Sequence, residues 1–270
     1  MTVATIAILL ASSLAAGVIN AMAGGGTILV FPTLVFLGMP TIAANATSTV
    51  ALLPGAGSSM FAYRREVATH RAWLKTLLLP SLVGGAIGSI LLLRTPEKTF
   101  AGLAPLLVLF ATVLFMLREA LGRWSRPGAA SPDAPATPGS AADGRPSLGR
   151  WALAWLLQLL VAIYGGYFGA AIGILMLALL GFLGLSNIHA MNGLKNFFGM
   201  CINGVAAAYF ALFGPVDWPT ALVVGIGAIT GGYLGARLAQ SIGQKNARRA
   251  VVAIGFLVTG LLFWQRFAGK

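Results

Sequence analysis

The chain is short of charge and shorter still of acid. Only 9% of its 270 residues are charged and only six are Asp or Glu, where a soluble domain carries about a quarter charged residues. The acids are Glu66, Glu97, Glu119, Asp133, Asp143 and Asp217. All fall in loops, in a polar linker or at the ends of apolar segments, and none is central to a segment. That placement argues against a cation site or proton relay built on intramembrane carboxylates, and against a metal-dependent intramembrane phosphotransferase. The single cysteine, Cys201, excludes an intrachain disulfide and reads as core packing. His70 and His189 are too isolated to be metal ligands, so neither a metal nor a cofactor is expected. No GxxxxGK[ST] loop is present, which argues against ATP-driven transport by this chain alone. The expectation is a protein that is not an enzyme and has no catalytic residues.

What the chain has in excess is apolar length. Hydrophobic residues make up 58% of it, and apolar segments of about 20 residues, enough to span a bilayer, recur from end to end. Backbone groups in lipid must bond within their own segment, so the spans are helices. The expected fold is all-α and polytopic. Ten segments can be marked, near 3–22, 27–38, 41–62, 73–93, 99–117, 151–168, 170–185, 188–212, 218–239 and 248–266. The second and seventh are short, which fits half-helices, re-entrant or tightly tilted spans. The N-terminal run ends in Ala21-Met22-Ala23, like a signal-peptide cleavage site, but it lacks a basic leader and reads as the first span. The net charge of +12 sits beside apolar segments. It reads as topology signal and contact with anionic lipid at the cytoplasmic face, not as a nucleic-acid surface. A homo-oligomer is compatible with all of this.

Residues 119–150 are rich in Pro, Gly, Ala and Ser and read as a flexible linker. They separate two repeats, 1–118 and 151–270. LVGGAIGSIL at 82–91 matches ITGGYLGARL at 229–238, pairing Gly84, Gly85 and Gly88 with Gly231, Gly232 and Gly235 at an offset of 147. Gly57 pairs with Gly204 at the same offset, and Leu37-Gly38 with Leu183-Gly184 at 146. The paired glycines read mainly as helix-packing positions. Equivalent links carry opposite charge bias. Arg64, Arg65, Arg71 and Lys75 follow the third segment, whereas its counterpart, LFGPVDWP at 212–219, has no basic residue. By the positive-inside rule the halves are therefore inverted in the membrane, an arrangement common in secondary transporters. The expectation is a multi-pass protein of the cell inner membrane, with the linker cytoplasmic and both termini outside.

One cation stands inside an apolar segment. It is Lys195, in MNGLKNFFGM at 191–200. On a helix, His189, Asn192, Lys195, Asn196, Gly199 and Asn203 share one face. A lysine among amide donors with no acid nearby suits an anion. The rival reading is that Lys195 snorkels to the interface and the asparagines join helices. The equivalent stretch of the first half offers Asn45, Thr47 and Ser48, followed by Pro54, which is expected to kink or break its helix. Gly24, Gly25 and Gly26 should end the first helix and start the second. A helix start presents free N–H groups and a positive dipole end to an anion. YGGYFGAAIG at 164–173 holds the same place in the second half.

The stretch AGGGTILVFPTLVFLGMPTIAANATS at 23–48 resembles the opening motif of the TauE/SafE family of sulfite and organosulfonate exporters: a glycine cluster, a Pro, Leu-Gly, a second Pro and an Ala-x-Ala-Thr-Ser-like run. Tyr63-Arg64-Arg65, the looser second-half copy and the central linker fit as well. The resemblance implies a transporter of a small sulfur-containing or carboxylate anion, and it maps Gly24–Gly26 and Ala46-Thr47-Ser48 onto the family signature. The combined expectation is an anion exporter. Its site lies between the third and eighth segments and is built from Lys195, Asn192, Asn196, Asn203, Asn45, Thr47, Ser48 and Gly24–Gly26. An anion channel, or a membrane receptor or assembly component, remains the alternative. With no buried carboxylate, proton coupling would fall to His189 or Lys195.

Overall fold

The computed structural model describes residues 1–23, 25–62, 67–68, 70–124, 148–185, 187–242 and parts of 252–264. Gly24, Arg64, Arg65, linker residues 125–147 and the side chain of His189 lie outside the described residues. Within them all regular structure is helical: α1 (Val3–Ala23), α2 (Thr27–Phe36), α3 (Thr41–Ala62), α4 (Arg71–Arg94), α5 (Glu97–Trp124), α6 (Leu148–Tyr167), α7 (Ile172–Phe182), α8 (Ile188–Phe213) and α9 (Trp218–Ile242). Val3–Asn20, Arg71–Arg94, Glu97–Leu117 and Ala190–Phe213 are long and apolar enough to cross a membrane.

The two short segments are short helices. α2 has 10 residues and α7 has 11. At 1.5 Å per residue each is about 15 Å long, half the hydrocarbon core. Their ends are set by glycine. Gly38 and Gly184 have φ of +89° and +97°. Around each, the next residue's N–H reaches back to close the helix, Met39 to Leu34 O at 3.1 Å and Leu185 to Leu180 O at 3.0 Å. Both are C-terminal caps of the left-handed glycine type. This explains why Leu-Gly recurs in the two halves. The glycine cluster at 24–26 does separate α1 from α2. Pro54, in contrast, does not break α3, which is helical on both sides of it.

Two parallel pairs of helices form the tightest packing. α1 lies along α9 and α4 along α6. Glycine permits both approaches. A methyl on Gly84 would come 2.8 Å from Leu159 O and 3.0 Å from Ile163 N, and one on Gly231 would come 2.7 Å from the Leu14 carbonyl carbon. Small residues at such crossings let backbones touch, which is how helices associate in lipid. The other packings come in matched sets: α3 against α9 and α8 against α4, α2 against α3 and α7 against α8, α1 against α2 and α6 against α7, with α3 crossing α8 at the centre. Each set exchanges its members when α1–α4 are swapped with α6–α9.

Long-range polar contacts fix the ends. Glu97, at the start of α5, accepts from the Thr41 hydroxyl at 2.7 Å and from the Thr41 and Ile42 backbone N–H groups at the start of α3. It caps a helix whose own sequence lacks an acidic first turn. Asp217, between α8 and α9, donates its N–H to Thr47 Oγ1 at 3.1 Å. The start of α3 therefore lies on the same side as the end of α4 and the end of α8. Glu97→Ala should lower unfolding stability by about 1 kcal/mol, the usual cost of a lost cap, read as a thermal midpoint in detergent. Glu97→Gln should recover part of it.

Candidate functional site

Where α3 crosses α8, a cavity of about 100 Å³ opens between the crossing and the two helix breaks. From α8 come Lys195, Asn196, Gly199, Met200 and Asn203; from α3 come Thr49, Leu52, Leu53 and Ala56. Both sets follow helical spacing, so each is one face. The α1–α2 break contributes Asn20 and Thr27, and the α6–α7 break contributes Phe168, Gly169, Ile172 and Gly173.

The α6–α7 break is held open by several groups. Asn45 donates Nδ2–H to Tyr167 O at 3.1 Å, where α6 stops. The Tyr164 hydroxyl donates to Ala170 O at 2.8 Å. Gly169 has φ +77° and Ala171 φ +60°, and left-handed backbone here turns the chain back into α7. Phe168 packs edge-on against Phe31, with ring centroids 5.2 Å apart, and Phe31 against Phe100 at 6.3 Å. That fully buried cluster ties the cavity wall to α2 and α5.

Lys195 lies across the start of α7. A methyl on Gly173 would come 3.2 Å from its Cδ and 3.8 Å from its Cε. The stem therefore rests on the glycine. The lysine lines the cavity, which is not the placement of a side chain lying along the lipid surface. α7 has no side-chain cap at its N-terminus; its Ile172 and Ile174 N–H groups bond to Gly169 O and Ala171 O, so its start adds the positive end of the helix dipole beside the ammonium. Asn196, Asn203 and Thr27 add groups able to donate. The Thr49 hydroxyl donates to Asn45 O at 2.8 Å, so its proton is already used and it offers an anion no donor. Among the described residues no group of three His, Cys, Asp or Glu could hold a metal.

The expected site residues thus divide. Lys195, Asn196 and Asn203 come together at the cavity. Asn45, Thr47 and Ser48 are buried in helix contacts outside its lining. Thr47 accepts from Asp217, and Ser48 bonds back to Asn45 O at 3.0 Å. Asn192 is half-buried and does not line the cavity. Gly25 and Gly26 serve close packing, Gly25 beneath the Phe115 ring and Gly26 with room for a methyl only 3.0 Å from Ala16 O.

The lining residues that the sequence reading passed over could have been found with the repeat. At an offset of 147, Thr49 pairs with Asn196, Leu52 with Gly199, Leu53 with Met200 and Ala56 with Asn203; at 146, Thr27 pairs with Gly173. Ten of the fifteen lining residues fall in such matched positions, and Asn20, Phe168, Gly169, Ile172 and Lys195 do not. Lys195 breaks the match, because its counterpart is Ser48, turned away into helix packing.

Comparison with known proteins identifies the family. The family described as "Sulfite exporter TauE/SafE" matches residues 9–262. A probable membrane transporter protein of Haemophilus influenzae is 26% identical over 97% of this chain and 95% of its own length. The probable membrane transporter protein YfcA of Escherichia coli K12 is 27% identical over 93% of this chain and 86% of its own. A probable membrane transporter protein, ORF9, of a Sinorhizobium species is 24% identical over 92% and 88%. No solved structure matches. With a family match that runs through both halves and an apolar helical fold of spanning length, the chain belongs to the TauE/SafE family and is a multi-pass membrane transporter.

Proposed function

We propose that this transporter carries a small oxyanion, such as sulfite, an organosulfonate or a related carboxylate, through the cavity at the α3–α8 crossing. The supporting observation is the convergence of Lys195, Asn196, Asn203 and the uncapped start of α7 on one small space. An ammonium and a helix N-terminus both favour negative charge, and together they offset the cost of taking an oxyanion out of water. The family description, sulfite exporter, favours the same substrate class and direction.

The matched packing pairs and the opposite charge bias of equivalent links support two inverted repeats in the inner membrane, with the linker side cytoplasmic and both termini outside. The parallel pairs α1–α9 and α4–α6 each join one helix from either repeat. In this reading they are the rigid bodies that rock about the α3–α8 crossing to give alternating access. Export of one negative charge from a negative interior releases about 2.3 kcal/mol per 100 mV, so the carrier can run without a coupling ion.

Purified protein should be stabilised by sulfite, short sulfonates or short carboxylates and not by matched ammonium compounds, since a ligand that binds only the folded state raises its midpoint with concentration. A melting curve that no anion moves would remove the anion reading.

A further inference from the structure

Resting on that reading, we propose that Gly199 determines how bulky an anion the transporter accepts, by leaving empty the place that a side chain fills in the other half of the cavity. Glycine is the most costly ordinary residue in a helix interior, and many of the described glycines have a packing reason to be there. Gly84, Gly88 and Gly231 each meet a neighbouring backbone. Gly199 does not. It lies within α8, and a methyl built on it has no atom within 4 Å. Nothing in the packing demands its absence.

What sets Gly199 apart is that the open space is the cavity itself. Its counterpart in the repeat is Leu52, which also lines the cavity and fills its share of it. The cavity therefore has two unlike ends. Next to Gly199 on α8 stand Lys195, Asn196 and Asn203, one turn to either side, so this wall carries the cation and two amides, with Met200 its one apolar side chain. On α3 the bulk of the lining is Leu52 and Leu53, which are apolar, with Thr49 and Ala56 one turn away. An anion held at Lys195 sends whatever it carries behind its charged head past Gly199 toward the two leucines. An inorganic oxyanion has no such tail and does not use that space. The charged pole sets which group binds, and Gly199 sets how much may be attached to it.

The test is a binding series on the full-length protein in detergent, using sulfite, methanesulfonate and butane-1-sulfonate as probes, read by midpoint shift against concentration. Gly199→Leu should bind butane-1-sulfonate at least about tenfold more weakly than wild type, the usual scale of overpacking, while sulfite affinity stays within about threefold. Gly199→Ala, which the open space accommodates without a clash, guards against a folding defect in the larger variant and should give a smaller loss in the same order. If both variants lose all three probes alike, or keep all three alike, Gly199 does not set bulk and the proposal is overturned. If the wild type itself responds to none of the three, the anion site fails and this inference falls with it. The two failures are distinct, because the first appears only in the ratio between probes and the second already in the wild type.

Discussion

Alanine at Gly84 and alanine at Gly231 should each destabilise the protein by about 3 kcal/mol, and alanine at Gly204 should not destabilise it at all. The three substitutions add the same methyl to a helix. At Gly84 it would land 2.5 Å from Ala162 Cβ and 2.8 Å from Leu159 O, and at Gly231 2.8 Å from Leu14 Cα as well as against the Leu14 carbonyl. These neighbours are mainly backbone of a parallel helix, so relief requires the pair to separate over its length and not one side chain to turn. That places the cost at the upper end of ordinary overpacking. At Gly204 no atom lies within 4 Å of the added methyl. There only the intrinsic helix preference acts, worth up to about 1 kcal/mol in favour of alanine. Thermal unfolding of the purified variants in one detergent checks all three. Equal effects at the three sites would mean that the α1–α9 and α4–α6 contacts do not hold the fold together. A large loss at Gly84 with none at Gly231 would break the equivalence of the two pairs.

Lys195→Ala should weaken anion binding about 100-fold. The size follows from losing one charged hydrogen-bond donor, about 3 kcal/mol at most. The amides and the start of α7 remain, so binding is weakened and not abolished. Lys195→Arg should fall between the two. It keeps the charge, but the planar guanidinium cannot copy the compact ammonium on the stem that rests against Gly173. Titration calorimetry with sulfite reads this directly. An unchanged affinity in Lys195→Ala would move the charge recognition elsewhere.

Much of this fold is legible in the sequence because lipid leaves the backbone few choices. Nine of the marked segments correspond to helices whose ends differ by a few residues, and the two short ones are the two short helices. Leu-Gly at 37–38 and at 183–184 is visible as a repeat before its cause is known, and the left-handed caps supply the cause. Pro54 does not end its helix, because a proline removes one helix hydrogen bond without requiring a break, and α3 is helical on both sides of it. The site is half legible. Lys195, Asn196 and Asn203 stand out as polar residues in an apolar run and do line one cavity. Asn45, Thr47 and Ser48 stand out for the same reason but are taken up by Tyr167 O, the Asp217 N–H and Asn45 O. Hydrophobicity marks a polar residue in a membrane span without saying whether the backbone or a ligand satisfies it. The repeat register helps only in part, since it pairs Ser48 with Lys195 although Ser48 is turned away from the cavity. Carried through α3 it selects Thr49, Leu52, Leu53 and Ala56, opposite the residues of α8 that line the cavity.

Flux in proteoliposomes tests the central claim most directly. Vesicles holding the purified transporter, loaded with sulfite and given an imposed membrane potential, should release sulfite faster as the compartment they represent is made more negative. Lys195→Ala vesicles with the same protein content should release it at a small fraction of that rate. Sulfite release that is equal in the two, or no faster than from protein-free vesicles, would contradict an oxyanion path through the α3–α8 cavity.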